Sequence, residues 1–200
     1  KGVEIRYCAD LRSYKKLVPA ILEFPQNSII TVDDDVIYSS DTIEMLLKEH
    51  AKYPNDIICL NAMKPILVDG IPQMYKRWSH IKQDTSNLFI FPIGVGGILY
   101  PPGSLHPDVV INDKFQKLCP NADDIWFWFN SMRVRTIKRY IRKRGQDFSF
   151  DTLYQYFHNG SALTHTNRFE DQNDKSFINL FHFYHFKLSA LDISLEKDDV

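Results

Sequence analysis

Hydrophobic positions in the first 60 residues change repeatedly between strand-like and helix-like spacing. Residues 3–7 alternate apolar and polar side chains like a short strand, and residues 13–24 carry apolar side chains at helical spacing before a proline ends the helix. The β-branched run 29–32 is typical of a central parallel strand. Residues 41–53 predict a second helix that opens with capping-box spacing, and 57–60 another buried strand. The order strand, helix, strand, helix, strand predicts an α/β layered domain.

The pattern is less regular beyond residue 60. Residues 69–86 break into glycine, proline and polar positions, which predicts a surface excursion whose Trp78 either stacks on a sugar or pins the loop. Residues 88–100 resume as a strand-like run interrupted by glycines. Residues 120–132 predict a buried helix with acids at its positive end, and an aromatic helix follows near 177–186.

Composition narrows the class of protein. With 200 residues, 44% of them hydrophobic, the chain can bury one sizeable core, and its net charge of -1 gives no general attraction to nucleic acid, so no nucleic-acid partner is expected. Cys8, Cys59 and Cys119 are odd in number and lack CxxC spacing, which favours a reducing, cytoplasmic compartment. No membrane span or signal peptide is predicted, and the absence of an initiator Met suggests a start inside a longer protein.

Three adjacent acids, Asp33, Asp34 and Asp35, directly follow the run 29–32. Unpaired carboxylates repel one another in a partly desolvated place, and a divalent cation removes that cost. Because side chains at i and i+2 of a strand point the same way, Asp33 and Asp35 can converge on one ion. Oxygen ligands suit Mn²⁺ or Mg²⁺ and leave coordination positions for a diphosphate. The alternative is that the acids only mark a strand-to-loop junction and cap a nearby helix.

Several segments resemble one enzyme group. Residues 29–38, Ile-Ile-Thr-Val-Asp-Asp-Asp-Val-Ile-Tyr, resemble the DXD segment of A-type glycosyltransferases. The glycine-rich segment 94–103, the acidic segment 122–126 and, more loosely, residues 167–174 resemble bacterial polysaccharide-type enzymes related to the large inverting family 2. The likeness spans about residues 3–180. A DXD alone is a weak signal, but the ordered trio of DXD, glycine-rich strand and acidic helix start is considerably more specific.

The resemblance implies a fold and an activity. The fold is the three-layer A-type (Rossmann-like) arrangement of a mixed sheet flanked by helices, over residues 1–187, with 188–200 as a tail or linker. The chain starts at what resembles the second or third strand, so the first nucleotide-binding strand is expected to be missing. The implied activity is metal-dependent, inverting transfer of a sugar from a nucleoside-diphosphate donor to a glycan or lipid-linked acceptor hydroxyl. The implied setting is polysaccharide biosynthesis at the cytoplasmic face of a bacterial membrane.

The resemblance also implies a donor and metal site. Asp33 and Asp35 would hold the metal and the donor diphosphate, Asp34 would meet the ribose or sugar, and His165 is the candidate third ligand. The metal would act as a Lewis acid on the departing nucleoside diphosphate. Arg12, Lys15 and Lys16 either face the donor phosphates or form a solvated helix face.

The acceptor side is implied at two places. Asp124, with Asp123 beside it, matches the acid at the start of a late helix that deprotonates the acceptor hydroxyl, where the family more often has Glu-Asp. Capping of that helix is the plainer use of the pair. Gly96 and Gly97, with Gly94, lie on the strand that borders the acceptor pocket in the family, and their plainer use is a bulged strand packed on the core.

The sequence also contains a basic segment, and it leaves two other classes of protein open. Seven cations between Arg133 and Arg144 form either a solvated face or a peripheral contact with an anionic membrane that carries a lipid-linked acceptor. A non-catalytic carbohydrate-binding module with the same fold would not need the metal. A metal-dependent phosphohydrolase would usually need more His and Asp ligands than the motifs provide.

Overall fold

The structure, a computed structural model, describes residues 2–34, 36–142 and 172–186. It is a mixed α/β fold with a mixed sheet and helices. The strands are β1 (Ile29–Thr31), β2 (Ile57–Cys59), β3 (Ala62–Lys64), β4 (Ile66–Val68), β5 (Ile71–Gln73), β6 (Ser79–His80), β7 (Thr85–Asn87), β8 (Phe91–Pro92), β9 (Ile98–Tyr100) and β10 (Lys138–Tyr140). The α-helices are α1 (Val18–Glu23), α2 (Thr42–Lys52), α3 (Asn112–Leu118), α4 (Asp123–Arg133) and α5 (Gln172–Phe183). Short 3₁₀ helices cover Arg12–Lys16, Tyr75–Arg77, Gly94–Gly96 and Pro107–Val110.

Among the described residues, the main sheet has five strands in the order β1-β9-β2-β10-β7. Of these strands only β2 and β10 run parallel to each other, while β9 is antiparallel to both β1 and β2. The prediction that residues 29–32 form a central parallel strand is therefore wrong, because β1 lies at an edge of the described sheet and pairs antiparallel with β9. The β-branched run predicted burial, and burial does not determine which strand is the neighbour.

Helices cover both faces of this sheet. On one face, Ile57 and Ile98 share a large core with the aromatic side chains of α4 and with Tyr14. On the other face, Ile58 and Leu99 pack against Leu46 of α2. The alternation of strand side chains between the faces accounts for both cores.

The N-terminal elements differ from the predictions. The helix predicted over 13–24 is divided into the 3₁₀ helix Arg12–Lys16 and α1, whose second residue is Pro19. Proline lacks an N–H and restricts the preceding residue, so it suits the start of a helix better than its middle. The strand predicted over 3–7 is wrong: these residues have no regular structure and their apolar side chains are exposed, because no described strand pairs with them.

The middle of the chain is more regular than predicted. Residues 69–86, predicted as a surface excursion, contribute to the hairpin of β4 and β5, which turns at Asp69-Gly70 with φ of 51° and 77°. Trp78 is 4% exposed and donates to the Gln73 carbonyl at 2.8 Å, so it anchors this region and is not available for stacking on a sugar. The strand-like run predicted over 88–100 is interrupted at its glycines, where a 3₁₀ turn at Gly94–Gly96 separates β8 from β9.

The state of the cysteines and the character of the helices bear on the predictions drawn from composition. All three cysteines are free thiols, with Cys59 and Cys119 buried. Within the described ranges, no helix combines the length and the apolar character that crossing a bilayer requires.

Candidate functional site

Acids from two distant parts of the chain meet at one lysine. The Nζ of Lys16 lies 3.2 Å from Oδ1 of Asp33, just beyond β1, and 3.0 Å from Oδ2 of Asp123, in the first turn of α4. The side chain of Lys16 is 21% exposed, that of Asp33 26% and that of Asp123 12%. The ion pairs are therefore largely shielded from water. This places the predicted metal segment and the predicted base segment in one cluster.

The 3₁₀ helix Arg12–Lys16 docks on the loop that leads into α4. Arg12 donates to the side chain of Asn121 at 2.7 Å, and the buried Tyr14 hydroxyl donates to the Cys119 carbonyl. These contacts hold Lys16, two residues further along, against the first turn of α4. Lys16 is therefore a partly buried partner of the acids, whereas Lys15 is exposed and pairs with Asp10 at the surface.

The turn at Gly94–Gly96 closes the cluster from a third side. The Gly94 N–H donates to Oδ2 of Asp124 at 3.1 Å. A Cβ on Gly94 would lie 2.8 Å from the Nζ of Lys16 and 2.9 Å from Oδ1 of Asp124, so any larger residue would force these two side-chain ends to move. The Tyr38 hydroxyl accepts from the Asp33 N–H and donates to the Val95 carbonyl, both at 2.9 Å, and so ties the Asp33 loop to this turn.

Three carboxylates surround one ammonium group, so negative charge is in excess at the cluster. Burial favours the neutral form of Lys16, but the charges of Asp124, Asp123 and Asp33 outweigh it and raise the lysine pKa. Burial and the neighbouring Asp123 raise the pKa of Asp124 to about 7, against the opposing effects of Lys16 and the Gly94 N–H. Oδ1 of Asp124 is buried without a hydrogen bond, whereas Oδ2 of Asp123 is paired with the Lys16 ammonium at 3.0 Å. An unsatisfied buried oxygen is costly, and a group that bound Oδ1 of Asp124 would stabilise the fold.

The other residues predicted for the site do not join the cluster around Lys16 in the described part of the chain. Asp34 is exposed on the loop after β1, and Asp35 and His165 lie outside the described residues. Gly96 does not face the acids: a Cβ there would lie 2.8 Å from the backbone N of Asn61, which fits the plainer prediction of close packing. Gly97 has φ of 88°, a conformation that favours glycine, and its N–H closes the turn on the Gly94 carbonyl at 2.9 Å.

The helix-cap alternative for the acidic pair is not what the local geometry shows. The N-cap of α4 is Ala122, without a side-chain cap, and Asp123 and Asp124 are the first two residues of the helix itself. There they lie at the positive end of the helix dipole, which favours their charged forms. Sequence reasoning gave no role to Tyr38, and no spacing signal marks it.

The donor atoms suit a hard divalent cation only in part. Within the part of the chain that the structure describes, no three His, Cys, Asp or Glu side chains are grouped so as to hold a metal ion. The oxygens of Asp33 and Asp34 are nevertheless of the kind that Mn²⁺ and Mg²⁺ prefer, and the excess negative charge of the cluster favours a cation.

An apolar cavity of about 290 Å³ lies at the opposite end of β1 from the acids. It is lined among others by Leu22, Ile29, Pro102 and Val110, and it carries no acidic or basic side chain. It therefore lacks groups for acid–base or metal chemistry, and the cluster around Lys16 is the better candidate for a site.

The basic segment does not present a continuous charged face. Arg133 pairs with Asp108 at 2.9 Å, Arg139 pairs with Asp56 at 2.9 Å, and Lys138 is fully buried. Residues 143 and 144 lie outside the described ranges. At least three of the seven cations are thus occupied within the fold.

The chain matches no model of a known protein family and none of the curated proteins. Its likeness to A-type glycosyltransferases is therefore a resemblance of segments. Support for a function comes from the convergence of Asp33 and the Asp123–Asp124 pair on Lys16.

Proposed function

We propose that the chain is a metal-dependent glycosyltransferase domain with an A-type fold. It transfers a sugar from a nucleoside diphosphate to a glycan or lipid-linked acceptor hydroxyl, with inversion. The observation that supports this proposal most is that Asp33, after β1, and Asp123–Asp124, at the start of α4, lie around the same ammonium group. A donor-side acid and an acceptor-side acid have to be adjacent for direct transfer between two substrates.

On the donor side, Asp33 would hold Mn²⁺ or Mg²⁺, with Asp35 as the further ligand expected from the sequence and Asp34 at the ribose or sugar. When bound, the ion supplies Lewis-acid stabilisation of the diphosphate leaving group. The protein contributes carboxylate oxygens beside a partly buried, positively charged Lys16. Both features favour a diphosphate anion that arrives together with a cation.

On the acceptor side, Asp124 is the proposed general base. Its pKa, raised by burial and by Asp123, suits a group that accepts a proton near neutral pH. Gly94 fixes one of its oxygens through the 3.1 Å hydrogen bond, and the other oxygen has no partner. That free oxygen is closed to solvent, so the acceptor hydroxyl reaches it only when neighbouring side chains move.

The proposal is tested by calorimetric titration of a panel of nucleoside diphosphates with and without Mn²⁺. We expect one nucleotide to bind only with Mn²⁺, and Asp33→Asn to weaken that binding roughly tenfold or more, which corresponds to about 1.4 kcal/mol. Asp113→Asn removes an exposed acid at the start of α3 and serves as the matched control. Its affinity should equal that of the wild type.

Two outcomes would contradict the proposal. Metal-independent binding that Asp33→Asn leaves unchanged would favour a non-catalytic carbohydrate-binding module. Hydrolysis of a phosphoester in the absence of any sugar acceptor would favour a phosphohydrolase.

A further inference from the structure

Lys16 already occupies the carboxylate that the proposed metal would need. Its Nζ lies 3.2 Å from Oδ1 of Asp33, and it is held from the other side by Asp123 at 3.0 Å. The lysine therefore supplies part of the positive charge that balances the excess of carboxylates. Its neighbour Lys15 has the same charge but pairs at the surface with Asp10.

A divalent cation on Asp33 would lie close to the lysine ammonium. Like charges on one shielded carboxylate repel strongly, and the screening by water that weakens surface pairs is reduced here. The two cations should therefore compete, and each should weaken the binding of the other. The side chain of Lys16 is long and has a second carboxylate, Asp123, to which it can remain bound.

We propose that Lys16 is a resident counterion that a divalent cation displaces from Asp33, and that the released ammonium then binds the diphosphate of the donor. This inference rests on the proposed function and deepens it by giving Lys16 a positioning role. It predicts antagonism between Lys16 and the free metal ion. It also predicts cooperation between Lys16 and the metal–diphosphate complex.

The test measures Mn²⁺ binding to the whole chain by calorimetry, without nucleotide. Lys16→Met should bind Mn²⁺ about fivefold or more tightly than the wild type, within the usual range of coupling between sites. Lys15→Met removes an equal charge from the same short helix and should stay within about twofold of the wild type. Titration of preformed Mn²⁺–pyrophosphate should show the opposite order, with Lys16→Met weakened about fivefold or more.

The outcomes separate this inference from the proposed function. Equal Mn²⁺ affinity in Lys16→Met and Lys15→Met would overturn the displacement while leaving metal-dependent transfer intact. Mn²⁺ binding by Lys16→Met alone, with none by the wild type, would show that Lys16 blocks the metal and would overturn its displacement. No Mn²⁺ binding by either protein at millimolar concentration would overturn both this inference and the metal role of Asp33. If circular dichroism shows that Lys16→Met does not fold, Lys16→Gln, which keeps a hydrogen-bond donor, is judged by the same criteria.

Discussion

Two glycines of the same short string have different roles in this protein. Gly94 leaves space that is filled by the ends of two side chains, Lys16 and Asp124. Gly96 leaves space that is filled by the backbone of Asn61. The sequence Gly-Val-Gly-Gly indicates only that a ligand or another segment of the chain approaches the glycine backbone closely. It therefore does not distinguish these two roles.

Replacing each glycine by alanine should separate the two roles. In Gly94→Ala the new methyl group meets flexible side-chain ends. We therefore expect loss of Mn²⁺-dependent nucleotide binding, while the free energy of unfolding decreases by less than about 1 kcal/mol. In Gly96→Ala it meets the Asn61 backbone, so we expect a loss of about 1–3 kcal/mol. Urea denaturation and calorimetry measure the two quantities. Equal destabilisation by both substitutions would contradict this assignment.

The acids of the site were recognisable from the sequence, whereas their partner Lys16 was not. The sequence left Lys16 either facing the donor phosphates or on a solvated helix face. Asp33 and Asp124 stand just beyond the end of a half-buried strand and at the start of a helix, positions that local patterns reveal. The burial of Lys16 depends on the docking of Arg12 and Tyr14 onto the loop before α4. That contact joins residues more than 100 positions apart, and no local spacing encodes it.

At the scale of elements, the predictions succeeded where the spacing of hydrophobic residues matches the side chains that the fold buries. The helices α2 and α4 and the strand β2 lie within a few residues of their predicted ranges. The hairpin of β4 and β5 was missed, although Asp-Gly between apolar runs is a strong hairpin signal. The strand predicted over 3–7 failed because alternation gives a segment a strand-like surface but does not supply a partner.

One carboxylate connects the helices on one side of the molecule. Oδ2 of Asp108 accepts from Lys114 at 2.7 Å, from Arg133 at 2.9 Å and from the Tyr184 hydroxyl at 3.0 Å. These partners come from α3, from α4 and from the segment after α5. Burial raises the pKa of Asp108, but the three hydrogen bonds outweigh this effect and lower it well below the usual value of 3.8.

Asp108→Asn should therefore destabilise the fold by about 2–3 kcal/mol at neutral pH, the range for hydrogen bonds to charged groups. Because the folded pKa is depressed, this stabilisation is present above the unfolded pKa and is lost as the pH falls through the folded pKa. The difference between wild type and variant should thus shrink as the pH drops below about 4. Denaturation at pH 7, 4 and 3 measures it, with Asp113→Asn as an exposed control. A pH-independent difference would contradict the ionic role.

For the molecule as a whole, the alternation of predicted strands and helices predicted an α/β fold but not the order of its strands. The order β1-β9-β2-β10-β7 depends on which strands meet after the chain has crossed the sheet. One consequence was invisible in the sequence. The basic segment enters the sheet as β10, and this places Lys138 in the core with no exposed surface.

Lys138 gives the stability of the whole fold a dependence on alkaline pH. Its Nζ donates to the Leu88 carbonyl at 2.6 Å, and burial lowers its pKa well below 10.5 despite the opposing effect of Cys59. A depressed folded pKa means that the native state is relatively stabilised above the unfolded pKa and loses this advantage as the pH falls. Lys138→Met should therefore gain on the wild type as the pH decreases below about 10.5, by up to about 1.4 kcal/mol per pH unit. Urea denaturation at several pH values measures the gain, and the exposed Lys117→Met should show none. A constant difference between Lys138→Met and the wild type over this range would mean that the lysine remains charged in the native core.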